Sequence, residues 1–338
     1  MRPTQDKRGT AADLPALSLA ERIGPLAAVL RSRTLPIFLV LGVLLVLIAQ
    51  ANPYFLEPPG FLAFVKRAAP LAILAAGQYF VIVSGEFDLS VGALVTAEVV
   101  IAARLIDGDP AATWPVLIAL LVFGALVGLV NGLVSTLLRV PSFIATLGMM
   151  LVLSGAVFLW TGGAPRGALT EEFRMFGRGS LGPVPWSVLI LLVVAIAMVA
   201  LMRADYGKTL IATGDNDRTA ALSGVRIHRV RIIAFVVSGA SAAVCAILLG
   251  GFAGVSAQVG QGLEFQAITA VVLGGVVLGG GRGALVAALA GAFTLEALFT
   301  LLNLHGVSGA LEYTVQGVIL ISAVALGSLK LPALLRRT

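Results

Sequence analysis

The segment Gly85-Glu-Phe-Asp-Leu-Ser-Val-Gly92 places two carboxylates and a hydroxyl between two long apolar stretches. Glu86, Asp88 and Ser90 alternate along it, and a glycine at each end permits irregular backbone. At membrane depth, irregular backbone occurs only where it is buried in protein or lines a watery cavity. The segment therefore predicts either a functional site in such a setting or an ordinary inner connector in which Asp88 caps a helix starting at Leu89.

A second polar segment, 213–224, has the composition of a short capped helix. Asp215, Asn216 or Asp217 can accept a hydrogen bond from its first turn, and Gly224 can end it about two turns later. Between two membrane spans and flanked by basic residues, such a helix favours docking of a partner. A solvated connector is the alternative interpretation.

A third polar segment, Ser256 to Phe265, precedes an apolar span. Its glutamines and glutamate, and Gln266 directly after it, can bind solute hydroxyl groups or contact an outer partner. The alternative is that they are only the polar side chains of a solvated loop. These residues are Gln258, Gln261, Glu264 and Gln266.

Two acidic residues, Glu98 and Glu296, fall well inside apolar stretches. Ionisable groups at such depth are costly in lipid and are functional by default. They suit either a proton relay or a hydrogen bond between packed helices.

Other reactive patterns are absent from the sequence. Gly207-Lys-Thr209 resembles the end of a phosphate-binding loop, but Met202 stands where that motif requires glycine. Cys245 lies in an apolar stretch, which favours a core position. We therefore predict no nucleotide site, no metal site and no catalytic nucleophile in this chain.

The composition is that of an integral membrane protein. Of 338 residues, 59% are hydrophobic and 12% charged, and the mean hydropathy is +1.02. A soluble domain is nearer half apolar and a quarter charged. The net charge of +6 does not indicate nucleic-acid binding, because the basic residues lie in short connectors between apolar blocks.

About ten transmembrane helices fit these blocks, since a span needs about 20 apolar residues. With the N-terminus inside, the inner segments hold 17 of the 23 Lys and Arg residues. We predict cytoplasmic tails at 1–35, with a short interfacial helix near Leu17 to Leu30, and at 331–338, around a transmembrane domain at 36–330. The predicted spans are 36–52, 62–84, 89–106, 114–138, 142–162, 186–202, 231–252, 265–281, 284–304 and 312–328.

Internal similarity indicates two inverted five-helix halves, at about 36–162 and 186–328. The stretch Gly124 to Gly132 is echoed five spans later by Gly283 to Gly291, and Glu86-Phe87 by Glu264-Phe265. Because five is an odd number of spans, the second half would cross the membrane in the opposite sense to the first, an architecture common in transporters. The alternative is that small apolar residues match by chance. Two glycine series with four-residue spacing predict close helix packing, within the subunit or across a dimer. These series are Gly124, Gly128, Gly132 and Gly275, Gly279, Gly283.

Five motifs in order give the sequence a resemblance to the permease family of ribose-type ABC importers, over roughly residues 36 to 328. The motifs are Gly85 to Gly92, Arg139 to Leu147, the inner-loop pattern at Asn216, Leu222, Ser223 and Gly224, the run Ala270 to Gly275 followed by Gly280 to Gly283, and Leu302 to Ser308.

This resemblance implies a multi-pass protein of the bacterial cytoplasmic (inner) membrane. It also implies a homodimer around a central solute path, an extracytoplasmic sugar-binding protein and cytoplasmic ATPase domains that use ATP and Mg. This chain would then bind no cofactor and perform no covalent chemistry. The residues expected to couple the chain to the ATPase are Gly214, Asp215, Asn216, Asp217, Leu222, Ser223 and Gly224. The candidates for the solute path or gate are Asp88, Ser90, Asn131 and Asn303.

The sequence departs from the family pattern at several polar positions. Glu86 stands where the family pattern has a second glycine, and Gln266 stands where it has an aspartate. Phe299 and Thr300 stand at positions where asparagines are usual, and Gln316 stands where a lysine is usual. These changes concern the solute rather than the fold, so the resemblance does not assign ribose itself.

Two alternative functions remain. One, from another class of transporter, is a proton-coupled secondary transporter that uses Glu98 or Glu296. The nearer one is an ABC permease for another small polar solute, such as a nucleoside.

Overall fold

The structure is a computed structural model that describes residues 35–307 and 309–328. Within these ranges the chain forms thirteen α-helices, a 3₁₀ helix at Pro53–Leu56 and a hairpin of β1 (Ser180–Leu181) and β2 (Val184–Pro185). The helices are α1 (Leu35–Ala51), α2 (Pro58–Val83), α3 (Val91–Ile106), α4 (Pro110–Thr136), α5 (Ser142–Thr161), α6 (Glu171–Arg178), α7 (Trp186–Arg203), α8 (Asp205–Asp215), α9 (Asp217–Leu222), α10 (Ile227–Ala253), α11 (Leu263–Leu273), α12 (Leu285–Leu304) and α13 (Gly309–Ser328).

The described chain is an all-α protein with several membrane-spanning helices. Six of its helices, namely α2, α4, α5, α7, α10 and α12, are long and apolar enough to cross a bilayer. The predicted tails, apart from Leu35, and the helix predicted near Leu17 to Leu30 lie outside the described residues.

The helices run between two opposite faces. At one, which we call the α8–α9 face, α8 and α9 contact the end of α2 and the start of α10. At the other, the α6 face, α6 packs against the end of α10, with Gly177 beside Phe252. The 27 residues of α10 separate these faces by roughly 40 Å at 1.5 Å per residue.

Helices α2 and α10 form the centre of the bundle. In each, 61% of the most apolar window is buried, against 22% in α5 and 17% in α7. Phe80 and Phe235 are fully buried in the largest core cluster. The apolar surfaces of α5 and α7 therefore face outward, toward lipid or another chain.

Close approach of α4 to α10 depends on glycine. A Cβ on Gly124 would overlap the carbonyl oxygen of Gly239, and one on Gly239 would overlap that of Gly124. Gly128 and Gly132 also face α10 residues of the same chain. For this series, packing within the subunit is confirmed.

Two helices inside the bundle, α3 and α11, each follow an irregular segment and are shorter than a full membrane span. α3 has 16 residues and α11 has 11, or roughly 24 and 17 Å, against a hydrocarbon thickness of about 30 Å. The irregular segments 84–90 and 254–262 precede them and enter from opposite faces. The two starts meet, because the Gly260 N–H donates to Thr96 Oγ1 at 3.0 Å and Gly92 packs against Glu264.

The prediction of a continuous eighth span at 265–281 is wrong. α11 ends at Leu273, and turns follow in which Gly275, Gly280 and Gly281 have φ of 81°, 85° and 69°. Glycine loses more backbone entropy in a helix than other residues and adopts positive φ without strain, so this glycine-rich run leaves the helix. The glycine series beginning at Gly275 therefore forms no helix face.

The short sequence echoes do not fall at equivalent structural positions. Gly124 lies in the middle of α4, whereas Gly283 precedes α12. Glu86 lies in the irregular segment before α3, whereas Glu264 is already in the first turn of α11. These echoes therefore do not set the register of a repeat.

Candidate functional site

The segment after α7 folds into two short helices, as its capping residues predict. Asn216 ends α8 and caps α9, because its Oδ1 accepts the Thr219 N–H at 2.9 Å. Gly224 follows α9 with a φ of 87°, a value that favours glycine. α9 thus presents a single rigid turn and a half at the surface, and Leu222 at its end is 85% exposed.

Tyr206 anchors α8 to the bundle. Its hydroxyl donates to the carbonyl of Val230 at 3.1 Å, and its ring stacks on Phe80 at 6.2 Å. Burial raises the pKa of this hydroxyl, so it stays protonated and remains a donor.

Arg231 joins α9 to the segment before α3. Its Nε lies 3.0 Å from Glu86 Oε1, and a terminal guanidinium nitrogen lies 3.5 Å from Asp217 Oδ2. The Arg231 and Glu86 side chains are only 22% and 16% exposed, so this pair is partly shielded from water. One arginine therefore connects the coupling candidate Asp217 to the loop that carries Asp88.

The end of α8 also touches the loop that follows α11. Gly214 packs so closely on Val83 and Gly281 that a Cβ would overlap both backbones. The Gly281 N–H donates to the Val83 carbonyl at 2.9 Å, and Asp215 lies 3.7 Å from Arg282. The α8–α9 unit thus contacts the end of α2 and the loop after α11 directly, and it is linked to the segment before α3 through Arg231.

Three of the four path or gate candidates meet in one buried cluster. Asp88 Oδ1 accepts hydrogen bonds from the Ser90 N–H at 3.0 Å and the Ser90 hydroxyl at 2.7 Å. Asn131 donates to the same hydroxyl at 2.9 Å, and Ser238 donates to Asp88 Oδ2 at 2.9 Å. Asp88 fixes Ser90 at the N-cap position of α3, so that helix begins at Val91 rather than Leu89.

Side chains of α5 hold the backbone of the same loop. Ser142 Oγ accepts the Phe87 N–H at 3.1 Å, and Thr146 Oγ1 accepts the Leu89 N–H at 3.1 Å. Sequence reasoning missed Ser142, Thr146 and Ser238. The spacing of Ser142 and Thr146 by one helical turn, inside the motif at Arg139 to Leu147, was an available signal for two of them.

Asn303, the fourth candidate, lies elsewhere. It stands at the α6-face end of α12, where its Nδ2 donates to Glu312 Oε1 at 2.8 Å and to the Phe299 carbonyl at 3.0 Å.

The two acidic residues inside the spans, Glu296 and Glu98, differ in their contacts. Glu296 lies 3.5 Å from Arg67, whereas neither carboxylate oxygen of buried Glu98 has a hydrogen-bond partner among the described residues.

A cavity of about 400 Å³ opens where the starts of α3 and α11 meet. We call it the α3 cavity. The third polar segment of the sequence forms one wall, and α5 forms another. Hydroxyl, amide and carboxylate groups face it from Thr96, Ser154, Thr161, Gln258, Gln261 and Glu264.

The described residues offer little to a metal or nucleotide. No three His, Cys, Asp or Glu side chains among them come close enough to hold a metal ion. The Gly207-Lys-Thr209 stretch lies inside α8, where Lys208 pairs with Asp205 at 2.9 Å. The described chain thus presents an exposed capped helix, a buried polar cluster and a cavity.

Comparison with known proteins agrees with this arrangement. The family profile described as "Branched-chain amino acid transport system / permease component" matches residues 60–324. The ribose import permease protein RbsC of Bacillus subtilis (strain 168) is 36% identical over 297 residues, which cover 86% of this chain and 91% of the relative. RbsC of Escherichia coli (strain K12) is 33% identical over 298 residues, covering 86% and 92%.

A third relative carries a different name. The autoinducer 2 import system permease protein LsrC of Enterobacter sp. (strain 638) is 33% identical over 299 residues, which cover 88% of this chain and 87% of the relative. No solved structure matches at a significant level. From the extent of these matches, the chain belongs to this family of membrane permease components, and the resemblance to ribose-type import permeases is confirmed.

Proposed function

We propose that this chain is the membrane-spanning subunit of an ATP-driven importer that moves a monosaccharide-like solute into the cytoplasm. As a permease component it is a multi-pass inner-membrane protein and a transport subunit whose ATPase is a separate partner. One observation carries the coupling role. The capped helix α9 exposes 85% of Leu222 at its end. At its start, Asp217 is ion-paired to Arg231, which in turn pairs with Glu86 in the segment before α3. Exposed apolar side chains on a rigid surface are typical of partner contacts.

The α8–α9 face is the cytoplasmic one in this proposal. The connector between α7 and α10, together with the helix ends that adjoin it, carries a concentration of basic residues, which favours the inner side. They are Arg203, Lys208, Arg218, Arg226, Arg229 and Arg231. Because α1 ends and α13 begins at the opposite face, both tails, 1–35 and 331–338, are assigned to the cytoplasm, around a permease domain at 36–330.

Helix directions support ten membrane-crossing segments in two inverted five-helix halves, in which α3 and α11 each complete a crossing together with the irregular segment before it. Pairing α1–α5 with α7 and α10–α13 in order joins helices that run in opposite directions in every pair. Contacts correspond as well, since α2 packs on α11 and α12 as α10 packs on α3 and α4. The shared feature is an irregular segment followed by a half-length helix, a common way to build a solute site between repeats.

In this arrangement the coupling unit acts on both half-length helices. A movement of α9 reaches the segment before α3 through Asp217, Arg231 and Glu86, and reaches the loop after α11 through Asp215 and Arg282. The two helix starts border the α3 cavity, so their displacement opens or closes it. ATP and Mg act in the partner ATPase, and a second copy of this chain completes the path.

The α3 cavity suits an uncharged polar solute. Its hydroxyl and amide groups match sugar hydroxyls, and its volume lies within the range of about 300–1,000 Å³ for small-molecule sites. The relatives named above import ribose and autoinducer 2 by their names, whereas the family description refers to branched-chain amino acids. The polar lining favours a monosaccharide-like solute, delivered by an extracytoplasmic binding protein, with a nucleoside as the nearer alternative.

A second candidate function rests on Glu98. A buried carboxyl group without a hydrogen-bond partner among the described residues suits a proton-coupled secondary transporter. That transporter would work without an ATPase and would leave the exposed Leu222 unexplained.

Affinity capture of the tagged chain from its native membrane, with mass spectrometry of co-eluting proteins, tests the proposal. We expect a nucleotide-binding ATPase with the wild type and with Leu222→Met, which keeps the apolar contact. We expect none with Leu222→Asp or after deletion of 216–222, at unchanged membrane insertion. A chain that elutes alone and moves solute in liposomes under a proton gradient would establish the secondary transporter instead.

A further inference from the structure

A second cavity, of about 630 Å³, lies at the α6-face end of α12, and we call it the α12 cavity. It reaches the connector between α1 and α2, where Tyr54 is 52% exposed. Polar side chains from four helices line it. They are Arg67, Gln266, Glu296, Thr300, Asn303 and Glu312.

These side chains form three contacts across helix boundaries. Arg67 Nε lies 3.5 Å from Glu296 Oε1, and its guanidinium donates to Thr300 Oγ1 at 3.3 Å. On the other side, Asn303 Nδ2 donates to Glu312 Oε1 at 2.8 Å. Donors and acceptors from α2, α12 and α13 therefore converge on one space.

The charged pair is not simply packing between helices. Eight residues separate Glu296 from the end of α12, which places it roughly 12 Å below that end. Charges at such depth are functional by default. The Arg67 and Glu296 side chains are nevertheless 45% and 19% exposed, so both face the cavity rather than a sealed interface.

We propose that the α12 cavity binds an uncharged, hydroxyl-rich molecule of monosaccharide size and thereby selects the solute. Arg67 is the cation of the lining, against the carboxylates of Glu296 and Glu312, so an anion meets net repulsion. Phe299 and Tyr54 supply apolar walls beside the hydrogen-bonding groups, as in most small-molecule sites. The solute class rests on the proposed function, whereas the site and its charge preference stand on this geometry.

Cysteine protection tests the site, because the single native thiol, Cys245, is fully buried and gives little background. Thr300→Cys places a thiol in the cavity, and His305→Cys places one at the same end of α12 outside the lining. Purified chain in nanodiscs is labelled with a cationic methanethiosulfonate, with D-ribose, D-xylose or D-galactose present, or with D-ribose 5-phosphate, D-gluconate or leucine.

We expect at least one neutral sugar to slow labelling of Thr300→Cys about threefold at twice its dissociation constant, where two-thirds of the sites are occupied. His305→Cys should label at an unchanged rate, and the anions and leucine should not protect. Adding Glu296→Gln, which removes a negative charge at constant size, should make D-gluconate protective. Asn303→Cys replaces Thr300→Cys if that variant elutes as aggregate.

Two results would overturn the inference. One is the absence of protection by every neutral sugar, and the other is equal protection by sugars and anions. The ATPase capture described above is independent, because it depends on α9. Protection without a captured ATPase would leave the α12 cavity as a sugar site in a different kind of transporter, and capture without protection would leave an importer that selects its solute elsewhere.

Discussion

The two ends of the bundle use polar residues in different ways. At the α8–α9 face, charged side chains join segments distant in sequence, as Arg231 joins Glu86 to Asp217. At the opposite end, hydroxyl and amide groups surround open cavities, and the one ion pair named there, Arg67–Glu296, faces a cavity. Ion pairs between elements fix relative position, whereas hydroxyls and amides exchange partners readily with water or solute. In the proposed function, this contrast assigns the transmission of movement to the α8–α9 face and the selection of the solute to the opposite end.

The largest effect is expected at Leu222. Leu222→Asp should reduce solute uptake by whole cells to background, because it places a charge at the proposed apolar contact with the ATPase while α9 keeps its cap. Uptake of labelled sugar, normalised to the membrane content of the chain, measures it. Leu222→Met is the control and should retain most uptake. Wild-type uptake by Leu222→Asp would remove the transmitting role from this face.

The buried cluster between the two ends should show the next largest effect, on stability. Asp88→Ala leaves the Ser90 and Ser238 hydroxyls and the Ser90 N–H without their acceptor, and a buried unsatisfied group costs about 1–3 kcal/mol. A lower unfolding temperature in nanodiscs is the expected result. Asp88→Asn keeps one acceptor oxygen and should lose less. An equal loss in both variants would show that charge, rather than hydrogen bonding, matters there.

A smaller effect is expected when the link from α9 to α3 is cut. Arg231→Gln or Glu86→Gln should reduce solute moved per ATP hydrolysed roughly fivefold, since a partly exposed ion pair contributes up to about 1 kcal/mol. ATPase capture should be unchanged, because Leu222 remains. The double variant should lose no more than either single one, as expected for residues acting as one unit. Additive losses would separate the two residues.

The sequence predicted the parts of this contrast that depend on local chemistry. Asn216 and Gly224 indicated the limits of α9 because capping and positive φ are local properties. The family resemblance gives Asp88, Ser90, Asn131 and Asn303 as path or gate candidates, and the fold brings the first three together. In all but the eighth span, the helix bounds follow the apolar blocks to within a few residues.

Long-range pairing could not be predicted in the same way. Nothing in the neighbourhood of Glu86 indicates that Arg231, far along the chain, lies 3.0 Å away. The α12 cavity likewise draws its lining from segments scattered between Ile48 and Glu312. The prediction of the eighth span failed for another reason. The valines and leucine after Leu273 keep the mean hydropathy high, whereas the backbone preference of the glycines among them ends the helix.

The smallest effect is expected at Lys208, and it is the sharpest control on the comparison. Lys208 and Asp205 also form an ion pair at the α8–α9 face, at 2.9 Å, but both belong to the first turn of α8 and move together. The hydrogen bond and charge of Lys208 lower the pKa of Asp205. Any stability from this pair is therefore complete at neutral pH and is lost only as pH falls through that lowered pKa. Lys208→Ala should leave uptake and ATPase capture at wild-type levels around neutral pH. A loss as large as that of Arg231→Gln would mean that charge itself, rather than the elements it joins, governs this face.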